Sequence, residues 1–195
     1  MLNNILSIYY TMLPLIFAGI ANMIFVKTPF CRHYNFPIDG GKLFKDGKRI
    51  FGDNKTYIGF LSMIIFSVLF QILMGVVCKW SGTNTLNHLY QHNDNTFLFN
   101  LFVGFVIGFL YMISELPNSF IKRRLNIAAG KTERGFVGCL FFVIDQIDSL
   151  IPVMLFVNVL SRRNFVSFLV YLFCGFFTHI VINLLLYLMK IRRNI

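Results

Sequence analysis

The sequence is 195 residues long, 56% hydrophobic and 13% charged, with a mean hydropathy of +0.68. A soluble domain carries about 25% charged residues, so this composition excludes an ordinary water-soluble globule and points to lipid as the solvent. The net charge of +10 sits in short basic segments between long apolar runs. That is the pattern of loops flanking membrane spans, not of a nucleic-acid surface.

A bilayer-spanning helix needs about 20 mostly apolar residues. The first run that qualifies is 5–26. No basic residue precedes it and no small-residue cleavage site ends it, so it reads as a span and not a removable leader. Asn22 lies at its end. A polar loop, 27–56, follows. It holds Asp39, Asp46, Lys48, Arg49, Asp53 and Lys55 among glycines that permit tight turns and close approach of a ligand to the backbone. Gly52-Asp-Asn-Lys-Thr lacks the spacing and the preceding strand of a P-loop.

The second span is 57–78. The loop after it, 79–96, is polar. His88 and His92 are four apart in it, but no suitably spaced third ligand argues for a metal. The third span is 97–113. Glu115, Pro117, Asn118 and Ser119 then interrupt the apolar run, and a broken helix at this depth lines protein or a wet cavity. The polar segment 114–135 also holds Lys122, Arg123 and Arg124, cations suited to a polyphosphate or to anchoring the span.

The fourth span, 136–160, contains Asp145 and Asp148. Their i, i+3 spacing puts both carboxylates on one helix face. Each costs about 2.5–3.5 kcal/mol at bilayer depth, and the two repel unless protonated or bridged by a cation. A divalent metal in a hydrated cavity meets that cost. A proton relay, an ion pathway or an internal salt bridge are the other readings. Mg²⁺ takes oxygen ligands, often one or two carboxylates plus substrate phosphates. The fifth span is 166–189.

Loops 27–56 and 114–135 and the C-terminal tail share one side and hold fifteen Lys and Arg, against Lys79, Arg162 and Arg163 on the other. The positive-inside rule then predicts the N-terminus out and the C-terminus in. The four cysteines, Cys31, Cys78, Cys139 and Cys174, are far apart and read as small apolar residues. Few small-residue patterns announce how the helices pack. The expected fold is all-α, one polytopic domain of five spans.

Asp39-Gly and Asp46-Gly-Lys-Arg-Ile-Phe-Gly-Asp-Asn-Lys-Thr-Tyr-Ile-Gly59 resemble the signature loop of CDP-archaeol synthases, as does Asn22. Ser119-Phe-Ile-Lys-Arg with Asp145-Gln-Ile-Asp148 resembles the wider CTP:phosphatidate cytidylyltransferase signature. The wider family carries a Lys-Asp pair where Ile127-Ala128 stands here, and a His-Gly-Gly element that is absent. Those departures favour the archaeol branch.

The resemblance implies an enzyme that joins CTP and a lipid glycerol phosphate into a CDP-lipid and pyrophosphate. It implies Mg²⁺ on Asp145 and Asp148, and charge neutralisation by Lys122 and Arg123. Phosphate contacts would come from Lys48, Arg49 and Lys55, completed by Asn22, Asp39, Asp46, Asp53 and Ser119. It also implies a site open to the cytoplasm in the cell membrane. A small transporter or ion pathway built on Asp145 and Asp148 is the alternative.

Overall fold

The computed structural model describes residues 2–131 and 134–189. Glu133 and the basic residues Lys190, Arg192 and Arg193 lie outside the described residues, as does the side chain of Arg32. The described residues form helices α1 (Leu2–Phe25), α2 (Pro29–His33), α3 (Tyr57–Ser81), α4 (Phe97–Arg124), α5 (Gly135–Ile147), α6 (Leu150–Leu160) and α7 (Phe165–Leu188). Among them no β-sheet is present, only the isolated bridges Pro37–Thr56 and Leu43–Arg49. Among the described residues five stretches are long and apolar enough to cross a membrane: α1, α3, α4, α5 with α6, and α7. The all-α, five-span expectation therefore stands.

Helix ends at a membrane surface need partners for their free backbone groups. Thr56, Thr96 and Asn164 each accept a hydrogen bond from the backbone N–H three residues on. Gly82 ends α3 in the left-handed conformation. α3 and α4 pack closely, and two glycines allow it. A Cβ on Gly104 would stand 2.6 Å from Val68 Cα, and one on Gly108 would stand 2.7 Å from Ile64 Cα. This is a Gly-x-x-x-Gly contact, a packing signal the sequence does carry. Toward the other end of the pair, Asn100 accepts from Gln71 at 3.1 Å and from Tyr90 Oη at 2.5 Å.

Two boundaries differ from expectation. α4 does not break after 113 but runs unbroken to Arg124 through Pro117. Proline removes one N–H from the ladder, and nothing else in Glu115–Arg124 opposes a helix. Lys122, Arg123 and Arg124 also lie where cations favour a helix C-terminus. Residues 114–124 are thus helix, and the loop begins at Leu125. Conversely, the fourth span is not one helix. Asp148 and Ser149 separate α5 from α6. Pro152 explains the break, because it offers no N–H to the carbonyl of Asp148 and its ring crowds that group.

Candidate active site

The loop from Thr28 to Thr56 folds around Asp39. Its carboxylate accepts from the N–H groups of Gly41, Phe51 and Gly52 at 3.0, 2.9 and 2.9 Å. It also receives Arg49 Nη2 at 2.7 Å. Burial opposes the charge, but Arg49 and the three N–H groups outweigh it and hold the carboxyl below the usual carboxylate range. Arg49 also reaches Asp53 at 2.8 Å.

A second knot ties the loop to the end of α4. The Arg124 guanidinium lies 5.1 Å from the Phe44 ring centroid and 4.5 Å from that of Phe120. Its Nε is 2.7 Å from Asp46 and its Nη2 donates to the carbonyl of Arg49 at 2.5 Å. Lys48 donates to the carbonyl of Arg124 at 2.7 Å. Gly52, at φ +97°, lets the loop approach the segment after α4, since a Cβ there would stand 3.3 Å from Ala129 Cβ.

Beneath this loop lies a cavity of about 1060 Å³. α4 lines it with one continuous face, Tyr111, Met112, Glu115, Asn118, Ser119, Lys122 and Arg123, the three-and-four spacing of a helix stripe. Asp145 and Asp148 face it from α5 and the break after it. Lys122 Nζ stands 2.5 and 2.6 Å from the two oxygens of Asp145. Asn118 Nδ2 donates to both Asp145 and Asp148 at 2.7 Å. Lys55 is ion-paired with Glu115. The Arg123 Nε is buried without a hydrogen-bond partner. Asn22 accepts from Ser62 at 2.6 Å.

The cavity then continues into an apolar half. Met12, Leu15, Ile16 and Ile20 of α1 line it, with Phe141 and Phe142 of α5 and Ile182 of α7. The chamber thus joins a charged end to a hydrocarbon-like end. It can neutralise a polyanion at one and shelter apolar chains at the other.

Of the expected site residues, Asn22, Asp53, Lys55, Ser119, Lys122, Arg123, Asp145 and Asp148 meet on this wall. Asp39, Asp46, Lys48 and Arg49 do not line it and are engaged in the loop knots instead. Glu115, Asn118, Lys27, Lys131, Gln146, His179 and Asn183 also line it and were not among the expected site residues. Glu115, Asn118 and Lys122 share a spacing that could have found the first two. His179 and Asn183 are four apart inside an apolar run, which is a similar signal. Asn183 donates to Gln146 at 2.7 Å.

His88 lies away from this wall. It is buried, with Nδ1 2.7 Å from Tyr171 Oη, and burial, with help from the Arg163 charge, lowers its pKa to about 4. Among the described residues no group of three or more His, Cys, Asp or Glu is placed to hold a metal ion.

A family model described as CarS-like CDP-archaeol synthase matches residues 1–194. A CDP-archaeol synthase of Sulfurisphaera tokodaii is 28% identical over 187 residues, covering 95% of this chain and 96% of that one. Another, of Methanocaldococcus jannaschii, is 29% identical over 157 residues, covering 80% of this chain and 81% of that one. A solved structure described as an intramembrane enzyme for archaeal membrane lipids biosynthesis has the same fold. Its TM-score is 0.59 at 22% identity, over 90% of this chain and 91% of that one. With a match spanning nearly its whole length, the chain belongs to the CarS-like CDP-archaeol synthase family.

Proposed function

We propose that this protein is a CTP-dependent cytidylyltransferase that makes a CDP-activated lipid of the CDP-archaeol type from a lipid glycerol phosphate. The observation that carries the reading is the two-ended cavity, with Lys55, Lys122 and Arg123 on the wall that continues into the apolar lining of α1, α5 and α7. A lipid phosphate needs both ends at once, and so does a transfer between it and a nucleotide. An ion pathway uses neither the apolar end nor the cation cluster.

In the reaction, an oxygen of the lipid phosphate attacks the α-phosphorus of CTP. The bond from that phosphorus to the oxygen bridging the β-phosphate breaks, and pyrophosphate leaves. The attacking phosphate is already ionised, so no strong base is required. The protein positions the two phosphates and neutralises them. Lys122 and Arg123 meet the charge that grows on the leaving pyrophosphate. Lys55 binds the triphosphate or the lipid phosphate. The knots at Asp39 with Arg49, and at Asp46 and Lys48 with Arg124, hold the loop that covers them.

Mg²⁺ suits this wall. Asp145 and Asp148 are close enough for one amide nitrogen to reach both, and the Asn118 Oδ1 is buried without a partner. For these hard oxygen donors to converge, the Asn118 amide would have to rotate and Lys122 would have to leave the two oxygens of Asp145. Asp145 and Asp148 would hold the ion, which when bound offsets phosphate charge. Two protein carboxylates leave its remaining positions to water and phosphate, as Mg²⁺ prefers.

The loop residues Asp53, Asn54 and Lys55 line the chamber on the side where the positive charges of the chain are concentrated. That charge bias supports a reading with this side facing the cytoplasm of a cell membrane. The test is direct. The purified protein is incubated with labelled CTP, Mg²⁺ and lipid phosphates bearing either isoprenoid ether or acyl chains. CDP-lipid from the ether lipid is the expected product. No CDP-lipid from any of them would sink the reading.

A further inference from the structure

Glu115 has no part in the reaction as written above, yet it stands on the wall of a chamber that must accept phosphates. A bare carboxylate there would repel them. Its charge is met by Lys55 of the loop, in direct ion-pair contact with it on the cavity lining. Both side chains are mostly buried, 20% exposed for Lys55 and 22% for Glu115. A desolvated pair of this kind resists loss of either partner, because the remaining charge is left uncompensated. Any phosphate that reaches Lys55 must therefore compete with Glu115 for it. Asp148 lies within electrostatic reach of both members of the pair.

We propose that Glu115 is an exchangeable counter-ion for Lys55, and that this exchange makes the chamber favour the metal-bound nucleotide over the free one. The inference rests on the cytidylyltransferase reading. A nucleotide phosphate takes Lys55 from Glu115. The carboxylate so released adds its charge beside Asp148 and beside Asp145, which already holds Lys122, and a further anion next to a polyphosphate is costly. A divalent cation arriving with the nucleotide offsets that cost; a nucleotide arriving alone does not. Glu115 is then a positioning residue, acting through Lys55.

The experiment measures CTP affinity by calorimetry on the full chain in lipid nanodiscs, once with EDTA and once with Mg²⁺. Glu115→Gln should bind metal-free CTP more tightly than the wild type, by about 5-fold or more, the lower end of site-to-site coupling. The advantage conferred by Mg²⁺ should shrink correspondingly. Glu115→Asp, which keeps the charge, should stay near the wild type. In a Lys55→Met background the Glu115→Gln gain should shrink to what relief of direct carboxylate–phosphate repulsion supplies, since no ion pair remains to be broken. A merely structural role for Glu115 would not depend on Lys55. If Glu115→Gln leaves metal-free binding unchanged or weaker, or if the gain is as large without Lys55 as with it, the inference is overturned while CTP binding keeps the enzyme reading standing. A folded protein that binds CTP in no arm overturns both.

Discussion

Asn118 on α4 donates from a single nitrogen to Asp145 on α5 and, at the same 2.7 Å, to Asp148 just beyond it. With Lys122 one turn further along α4, it keeps two carboxylates together that would otherwise repel. This polar seam joins α4 to the helix that supplies the acids.

Replacing Asn118 with Leu leaves the carboxylates unbridged without changing the bulk of the side chain much. The Mg²⁺ requirement for CDP-lipid formation, or the activity itself, should worsen by about 10- to 100-fold, as for other residues that orient ligands. A Mg²⁺ titration of the rate reads it. Asp148→Asn should lose activity more completely, and an unchanged Mg²⁺ dependence in that variant would refute its role.

Arg124 makes its contacts to Asp46, Phe44, Phe120 and the Arg49 carbonyl with a flat guanidinium. Lysine cannot reproduce that set. Arg124→Lys should free the loop, raise its susceptibility to protease and raise the KM for CTP about tenfold, while the helical circular dichroism stays intact. Tenfold corresponds to about 1.4 kcal/mol.

Acid should act on two regions in sequence. His88 has its pKa lowered to about 4, against about 6.5 in an unfolded chain. The unfolded state therefore binds the proton first, and stability falls as pH drops from about 6.5 to 4. The loss approaches about 3 kcal/mol at the lower limit. Asp39 is held below the ordinary carboxylate range. Its contribution is present above about 3.9 and is lost only as pH falls beneath that. Hydrogen exchange should show the 84–93 region loosening before the 38–53 loop. A His88→Gln variant should flatten the upper part of the melting profile.

Gly104→Leu should force α3 and α4 apart, because its Cβ alone would already lie 2.6 Å from a backbone carbon. Overpacking costs about 1–3 kcal/mol or more. A lowered melting temperature in detergent checks it.

Much of this was legible in the residues. Hydropathy located five spans. Asp145 and Asp148 stood out because charges in lipid are too costly to be idle, and Lys122 and Arg123 stood out as a cation cluster beside a span, suited to a polyphosphate or to anchoring it. The end of α4 was not legible in the same way. Hydropathy reports where a chain leaves hydrocarbon, whereas a helix continues wherever its backbone ladder can. The loop was harder still. Whether Arg49 turns to Asp39 or to a ligand depends on turns at Gly40 and Gly41, both with positive φ, and on an anchor from Arg124 far along the chain. Gly104 and Gly108 were readable, but their effect depends on which helix lies opposite.

Lys122, Arg123 and Arg124 are consecutive, yet each serves a different neighbourhood: the carboxylates of α5, the cavity wall beside Gly52, and the knot around Asp46. A helix turns about 100° per residue, so three adjacent cations fan out to three addresses. This makes the stretch a reading frame. One uncharged residue inserted or deleted between Pro117 and Ile121 would keep the charge and the helix, and deliver every one of the three cations to the wrong address.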